Sequence, residues 1–136
     1  SQRTHKKETV MGSLSYVKVL ANFSAKTIRL TNHENNDDES CSPQDIDTAP
    51  SLFVPWAQSE SDYNAGRKLA VGFWDNGGLE NKFWLWERSG QIYYNTADQW
   101  VENGSKVPGN ADGGWHKAFA LKEKDGTLSI SLSNIK

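Results

Sequence analysis

Residues 68–95, KLAVGFWDNGGLENKFWLWERSGQIYYN, decide how the chain is read. In 68–74, Leu69, Val71 and Phe73 fall on one face, and Ala70, Gly72 and Trp74 on the other. In 82–87, Phe83 and Leu85 alternate with Trp84 and Trp86, and in 91–95 Ile92 and Tyr94 alternate with Tyr93. Period-two alternation is the mark of a strand with two distinct faces. DNGG at 75–78 and RSG at 88–90 are turn sequences. Three strands joined by two tight turns predict an antiparallel sheet.

The pattern continues outward. Residues 127–134, TLSISLSN, place Leu128, Ile130 and Leu132 against Thr127, Ser129, Ser131 and Ser133, with a Lys124-Asp125-Gly126 turn before them. Residues 115–121 read as a further short strand. Toward the N-terminus, 14–23 places Ser15, Val17, Val19, Ala21 and Phe23 on one face, and 26–32 alternates through Ile28 and Leu30. NFSAK at 22–26 reads as the connection of a first hairpin. Residues 51–57, with Pro55, read as an edge strand. The stretch 32–50 is polar, acidic and nearly devoid of apolar residues, so it reads as a long surface loop. Residues 96–102, with Thr96 as cap, offer a single helical turn. About eight strands at regular intervals predict an all-β fold, an antiparallel two-sheet sandwich or a closed barrel with long loops, over residues 14–136. Residues 1–13 are polar and mildly basic, and read as a flexible arm or a cloning remnant, without the apolar segment of a signal peptide.

Composition narrows the function. The 136 residues carry 15 basic and 17 acidic side chains, so no basic field exists for a phosphate backbone, and nucleic acid is disfavoured as a partner. Six tryptophans, four tyrosines and five phenylalanines argue against disorder despite a mean hydropathy of -0.71. A single cysteine, Cys41, excludes an intramolecular disulfide, and its acidic neighbours disfavour a thiolate. His5, His33 and His116 lack metal-ligand spacing, and Asn35–Glu39 lacks a calcium-loop pattern, so the expectation is no metal and no cofactor. No nucleophile motif or phosphate loop is present, and a non-catalytic protein is expected. Two N-glycosylation sequons, at Asn22 and Asn103, do not settle between cytoplasm and secretion.

The aromatic block is the central feature. Trp74, Trp84, Trp86, Tyr93 and Tyr94 lie on strands that pair, with rings on both faces. One reading covers both faces and makes the rings the core of a structural or protein-interaction domain. The other leaves an exposed platform. Flat rings stack on the apolar faces of sugars, while carboxylates, amides and guanidinium groups bond hydroxyls. On that reading Trp74, Trp84, Trp86, Tyr93 and Trp115 supply rings, and Asp75, Asn76, Glu87, Arg88 and Asp112 supply polar contacts. The last of these belongs to GNADGGW at 109–115, a glycine-rich second loop. Partners are then a glycan or glycolipid, or a membrane surface, where the same rings suit the interface. An exposed edge strand would also support a homodimer.

Three stretches, VKVLANFSAKTIRL (17–30), KLAVGFWDNGGLENKFWLWERSG (68–90) and GNADGGWH (109–116), give the chain a resemblance to actinoporin-like β-sandwiches. That group includes pore-forming toxins and fungal fruit-body lectins. The resemblance implies a sandwich that binds lipid headgroups or glycans through aromatic clusters and nearby loops. It departs at residues 1–13, which lack the apolar stripe of the actinoporin pore-forming helix.

Overall fold

The structure is a computed structural model describing residues 14–135, except the side chains of 49–51. The expected N-terminal arm, residues 1–13, lies outside the described residues. The described residues form ten strands: β1 (Ser15–Asn22), β2 (Ile28–Asn32), β3 (Asp37–Cys41), β4 (Asp45–Val54), β5 (Leu69–Asp75), β6 (Gly78–Arg88), β7 (Gln91–Asn95), β8 (Ser105–Lys106), β9 (His116–Lys124) and β10 (Thr127–Ile135). A short helix, α1 (Glu60–Asn64), interrupts them. Two open sheets, ordered β10-β9-β1-β4 and β3-β2-β5-β6-β7-β8, form the expected sandwich rather than a barrel. Every named strand pair is antiparallel except β1 with β9, which is parallel.

The core fills the space between the sheets. Val17, Leu20, Leu52, Phe119, Leu121, Ile130 and Leu132 of the four-stranded sheet face Ile28, Leu30, Leu69, Val71, Phe83, Leu85 and Ile92 of the six-stranded one. Two hairpins turn as their sequences dictate. Ser89-Gly90 and Asp125-Gly126 all have positive φ, the conformation of a two-residue type I′ turn. Gly72 faces a different demand. A Cβ there would lie 2.4 Å from the Glu80 carbonyl oxygen, and the β5–β6 register slips beside it. The position admits only glycine because the two backbones touch.

Four expectations are corrected. First, NFSAK does not close a hairpin. β1 and β2 lie in different sheets, and the segment arches between them. Second, a bulge between Val17 and Val19 shifts the face of β1, so Leu20 and Asn22 point inward instead of Val19, Ala21 and Phe23. Third, the acidic stretch 32–50 is not a loop. It forms β3 and most of β4, both at sheet edges, where charged side chains stay in water while the backbone pairs. Of β3 only Cys41 is buried, and burial, with Asp47 and Asp45 beside it, raises its thiol pKa. Fourth, 96–102 is not helical. The helix is α1, capped by Ser59, whose hydroxyl accepts from the Asp62 N–H.

Candidate functional site

The ten residues expected to form one site occupy three places. Trp74, Asp75 and Asn76 sit at the tip of the β5–β6 hairpin. Trp74 is 41% exposed, and the Arg29 guanidinium lies 4.1 Å from its ring centroid. Asp75 turns back to accept the Gly77 N–H.

Trp84, Trp86, Arg88 and Tyr93 belong to the outer face of the six-stranded sheet, which is covered. Helix α1 and the 96–104 segment lie on it, making a second small core of Ala57, Tyr63 and Trp86, with Trp84, Tyr93 and Trp100 packed around it. Tyr63 meets Trp86 edge-on at 5.3 Å, and Tyr93 stacks on it at 6.3 Å. Trp86 has no exposed surface, so it is a core residue and not a ring for stacking on ligand. Arg88 is held by Glu102, donating to both its carbonyl and its carboxylate.

Glu87, Asp112 and Trp115 come together at one end of the sandwich. Glu87 is expected as a ligand contact, but it points inward between the sheets and is buried. Its carboxylate accepts from the Ser15 hydroxyl at 2.9 Å, and that hydroxyl accepts in turn from the Gly114 N–H at 3.0 Å. Burial raises the Glu87 pKa to about 7, against the opposing pull of the Ser15 bond, the Lys117 charge and the nearby Trp56 indole N–H. That indole N–H is itself buried without a hydrogen-bond partner. Lys117 is fully buried. Its ammonium donates to the carbonyls of Asn110 (2.9 Å) and Asp112 (2.6 Å) and to the Asn134 side-chain oxygen. Burial lowers its pKa, while Asp112 and Glu87 oppose the shift. A Cβ on Gly113 would lie 2.2 Å from a Glu87 carboxylate oxygen. The loop 109–115 is therefore pinned from below by two buried ionisable groups.

That loop displays Trp115, 54% exposed with φ of 69°. A bulky residue at positive φ is strained by about 1–3 kcal/mol, and such strain concentrates at functional sites. Beside it a row crosses all four strands: Phe53 of β4 pairs with Tyr16 of β1, Tyr16 with His116 of β9, and His116 with Ile135 of β10. Tyr16 is 38% exposed and meets Phe53 at 6.5 Å and His116 at 6.2 Å, both edge-on. Phe53 also borders a cleft of about 280 Å³, lined further by Leu14, Glu34, Trp56 and Arg67. The end thus combines exposed rings with a carboxylate, a guanidinium and an imidazole.

Tyr16, Phe53, Trp56, Arg67 and His116 were not among the expected site residues. Tyr16, Phe53 and His116 are far apart in sequence and are united by strand register and the parallel β1–β9 pairing, while Trp56 and Arg67 join Phe53 around the cleft. Compared with protein-family models, with curated proteins and with solved structures, the chain has no match.

Proposed function

We propose that the protein is a non-catalytic, lectin-like binder of glycans, and that the ligand docks at the Trp115 end of the sandwich. The observation that carries this reading is a strained, exposed tryptophan on a loop pinned by the buried Glu87 and Lys117 side chains, beside the Phe53–Tyr16–His116 row. Trp115 and Tyr16 stack on the apolar faces of sugar rings, and Arg67, Glu34 and His116 bond hydroxyls. The actinoporin-like resemblance, where glycans are one ligand class, points the same way.

The test is a glycan array followed by titration calorimetry on Trp115→Gly and Tyr16→Ala. Both variants lose binding, by at least about tenfold. Trp115→Gly also unfolds at a higher denaturant concentration, gaining about 0.5–1 kcal/mol, because glycine adopts the positive φ without strain. Retained glycan binding in both variants rejects the site.

A second reading is docking to a membrane surface through the opposite end, in line with the other ligand class of the resemblance. Phe23, Trp74 and Leu79 are exposed there, Arg29 lies over the Trp74 ring, and Lys26 and Lys82 lie over that of the adjacent Phe73, Arg29 and Lys82 being also paired with Asp38 and Glu80. Aromatic and apolar side chains rimmed by cations suit an anionic headgroup layer. Flotation with liposomes containing phosphatidylserine separates the two readings: binding lost in Phe23→Ser and Leu79→Ser favours this one, and no flotation rejects it.

A further inference from the structure

We infer that the open edge of β10 is a docking site for an extended peptide segment of a partner protein, which adds to the four-stranded sheet as a fifth strand. Of the four sheet edges, three are guarded. β3 carries Asp37, Asp38 and Glu39, β4 carries Asp45 and Asp47, and β8 is two residues long. Charge and shortness are the usual defences against strand addition. β10 has neither: its nine residues, TLSISLSNI, hold no charge and no proline, and its pairing with β9 runs without a bulge.

The edge is closed at one end only. The Leu132 N–H donates to the Pro108 carbonyl at 2.9 Å, and its carbonyl accepts from the Asn110 N–H at 2.8 Å. Since strand bonding alternates, the backbone groups of Leu128 and Ile130 face outward in the same way. Among the described residues they have no backbone partner on that side. Below them the sandwich opens into a cleft of about 270 Å³, with Phe83, Tyr94, Thr96 and Pro108 on one side and Leu128 and Ile130 on the other. None of its lining residues is charged.

These features specify the occupant. A strand laid along β10 bonds the free groups of Leu128 and Ile130, and its alternate side chains point down over the cleft. The segment is therefore extended and uncharged, with an apolar side chain at the position that enters the cleft. A second copy of β10 fits less well, because its Leu128, Ile130 and Leu132 are buried in its own core and have no side chain to offer. The site lies apart from the aromatic end and does not depend on glycan binding.

The probe is a capped seven-residue peptide alternating threonine and leucine, followed by amide hydrogen exchange. In the free protein the Leu128 and Ile130 amides exchange faster than those of Ser129 and Ser131, which pair with β9. Saturating probe slows Leu128 and Ile130 about tenfold or more. Thr96→Trp, which fills the cleft from an exposed position, and Ser129→Lys, which adds an edge charge, each weaken the probe about tenfold. Unchanged exchange at millimolar probe overturns the inference. Full probe affinity in Thr96→Trp overturns the role of the cleft. Slowing that appears without probe as protein concentration rises, with a dimer by sedimentation, assigns the edge to a second copy and overturns the peptide.

Discussion

Asn22 ends β1 and holds a corner of the fold with every polar atom of its side chain. Its amide nitrogen donates to the carbonyls of Lys26, Cys41 and Ser42, and its oxygen accepts from the Ser24 N–H and hydroxyl. The residue thereby ties the β1–β2 arch to the β3–β4 link, at the point where the chain twice changes sheet. A glycan on that nitrogen is incompatible with this fold, because the atom is engaged with the carbonyls of Lys26, Cys41 and Ser42. Asn22→Asp keeps the size and the acceptor oxygen but loses both N–H donors to those carbonyls and buries a charge. We expect it to lower unfolding free energy by about 2–4 kcal/mol, read from the urea midpoint. A change below about 0.5 kcal/mol places the corner's stability elsewhere. The sequence marks Asn22 only as a turn residue and a sequon. Its role depends on Cys41 and Ser42, which a reading of local pattern does not bring near.

At the scale of elements, local alternation revealed the strands and hid what covers them. KFWLWE correctly assigns Phe83 and Leu85 to one face and Trp84 and Trp86 to the other. Whether the tryptophan face meets water depends on α1 and the 96–104 segment, which lie elsewhere in the chain. Helix α1 was not expected from the sequence, although Ser59 stands three residues before Asp62, the spacing of a capped first turn. Its single buried residue, Tyr63, gives no amphipathic period to read. The acidic strands β3 and β4 were illegible for the opposite reason, since edge pairing tolerates side chains that propensity counts against. The aromatic cover leads to a prediction. Trp86→Ala opens a cavity beneath α1 and costs about 3–5 kcal/mol. Tyr63→Phe removes only the 2.8 Å bond from its hydroxyl to Asp98, which keeps its 2.8 Å partner Lys68, and costs about 0.5–1.5 kcal/mol. Denaturant unfolding of both variants checks the ordering. A Trp86→Ala protein as stable as the parent contradicts a packed second core.

For the whole molecule, the decisive feature is that one end of the sandwich is joined across its two sheets by polar groups instead of apolar ones. Ser15 of β1 and Lys117 of β9 come from one sheet and Glu87 of β6 from the other, and the loop carrying Trp115 rests on them. An exposed aromatic loop needs a rigid base, and buried hydrogen bonds of fixed direction provide one. The arrangement makes stability depend on pH. Burial raises the Glu87 pKa from 4.5 to about 7, so the folded protein holds a proton that the unfolded chain releases at lower pH. The sign follows: the contribution of neutral Glu87 is complete below about pH 4.5 and is lost as pH rises through about 7. A shift of that size corresponds to about 3 kcal/mol between the two limits. Glu87→Gln keeps an acceptor for the Ser15 hydroxyl and removes the titration. The variant and the parent should therefore be close in stability at pH 4.5, and the variant the more stable by about 3 kcal/mol at pH 8. Taking the difference between the two proteins at each pH removes the contributions common to both. Urea unfolding across pH 4–8 measures it. A difference that stays flat across this range would mean that Glu87 is already charged in the folded state, held so by Lys117. The two sheets would then be joined by an ion pair rather than by a neutral acid.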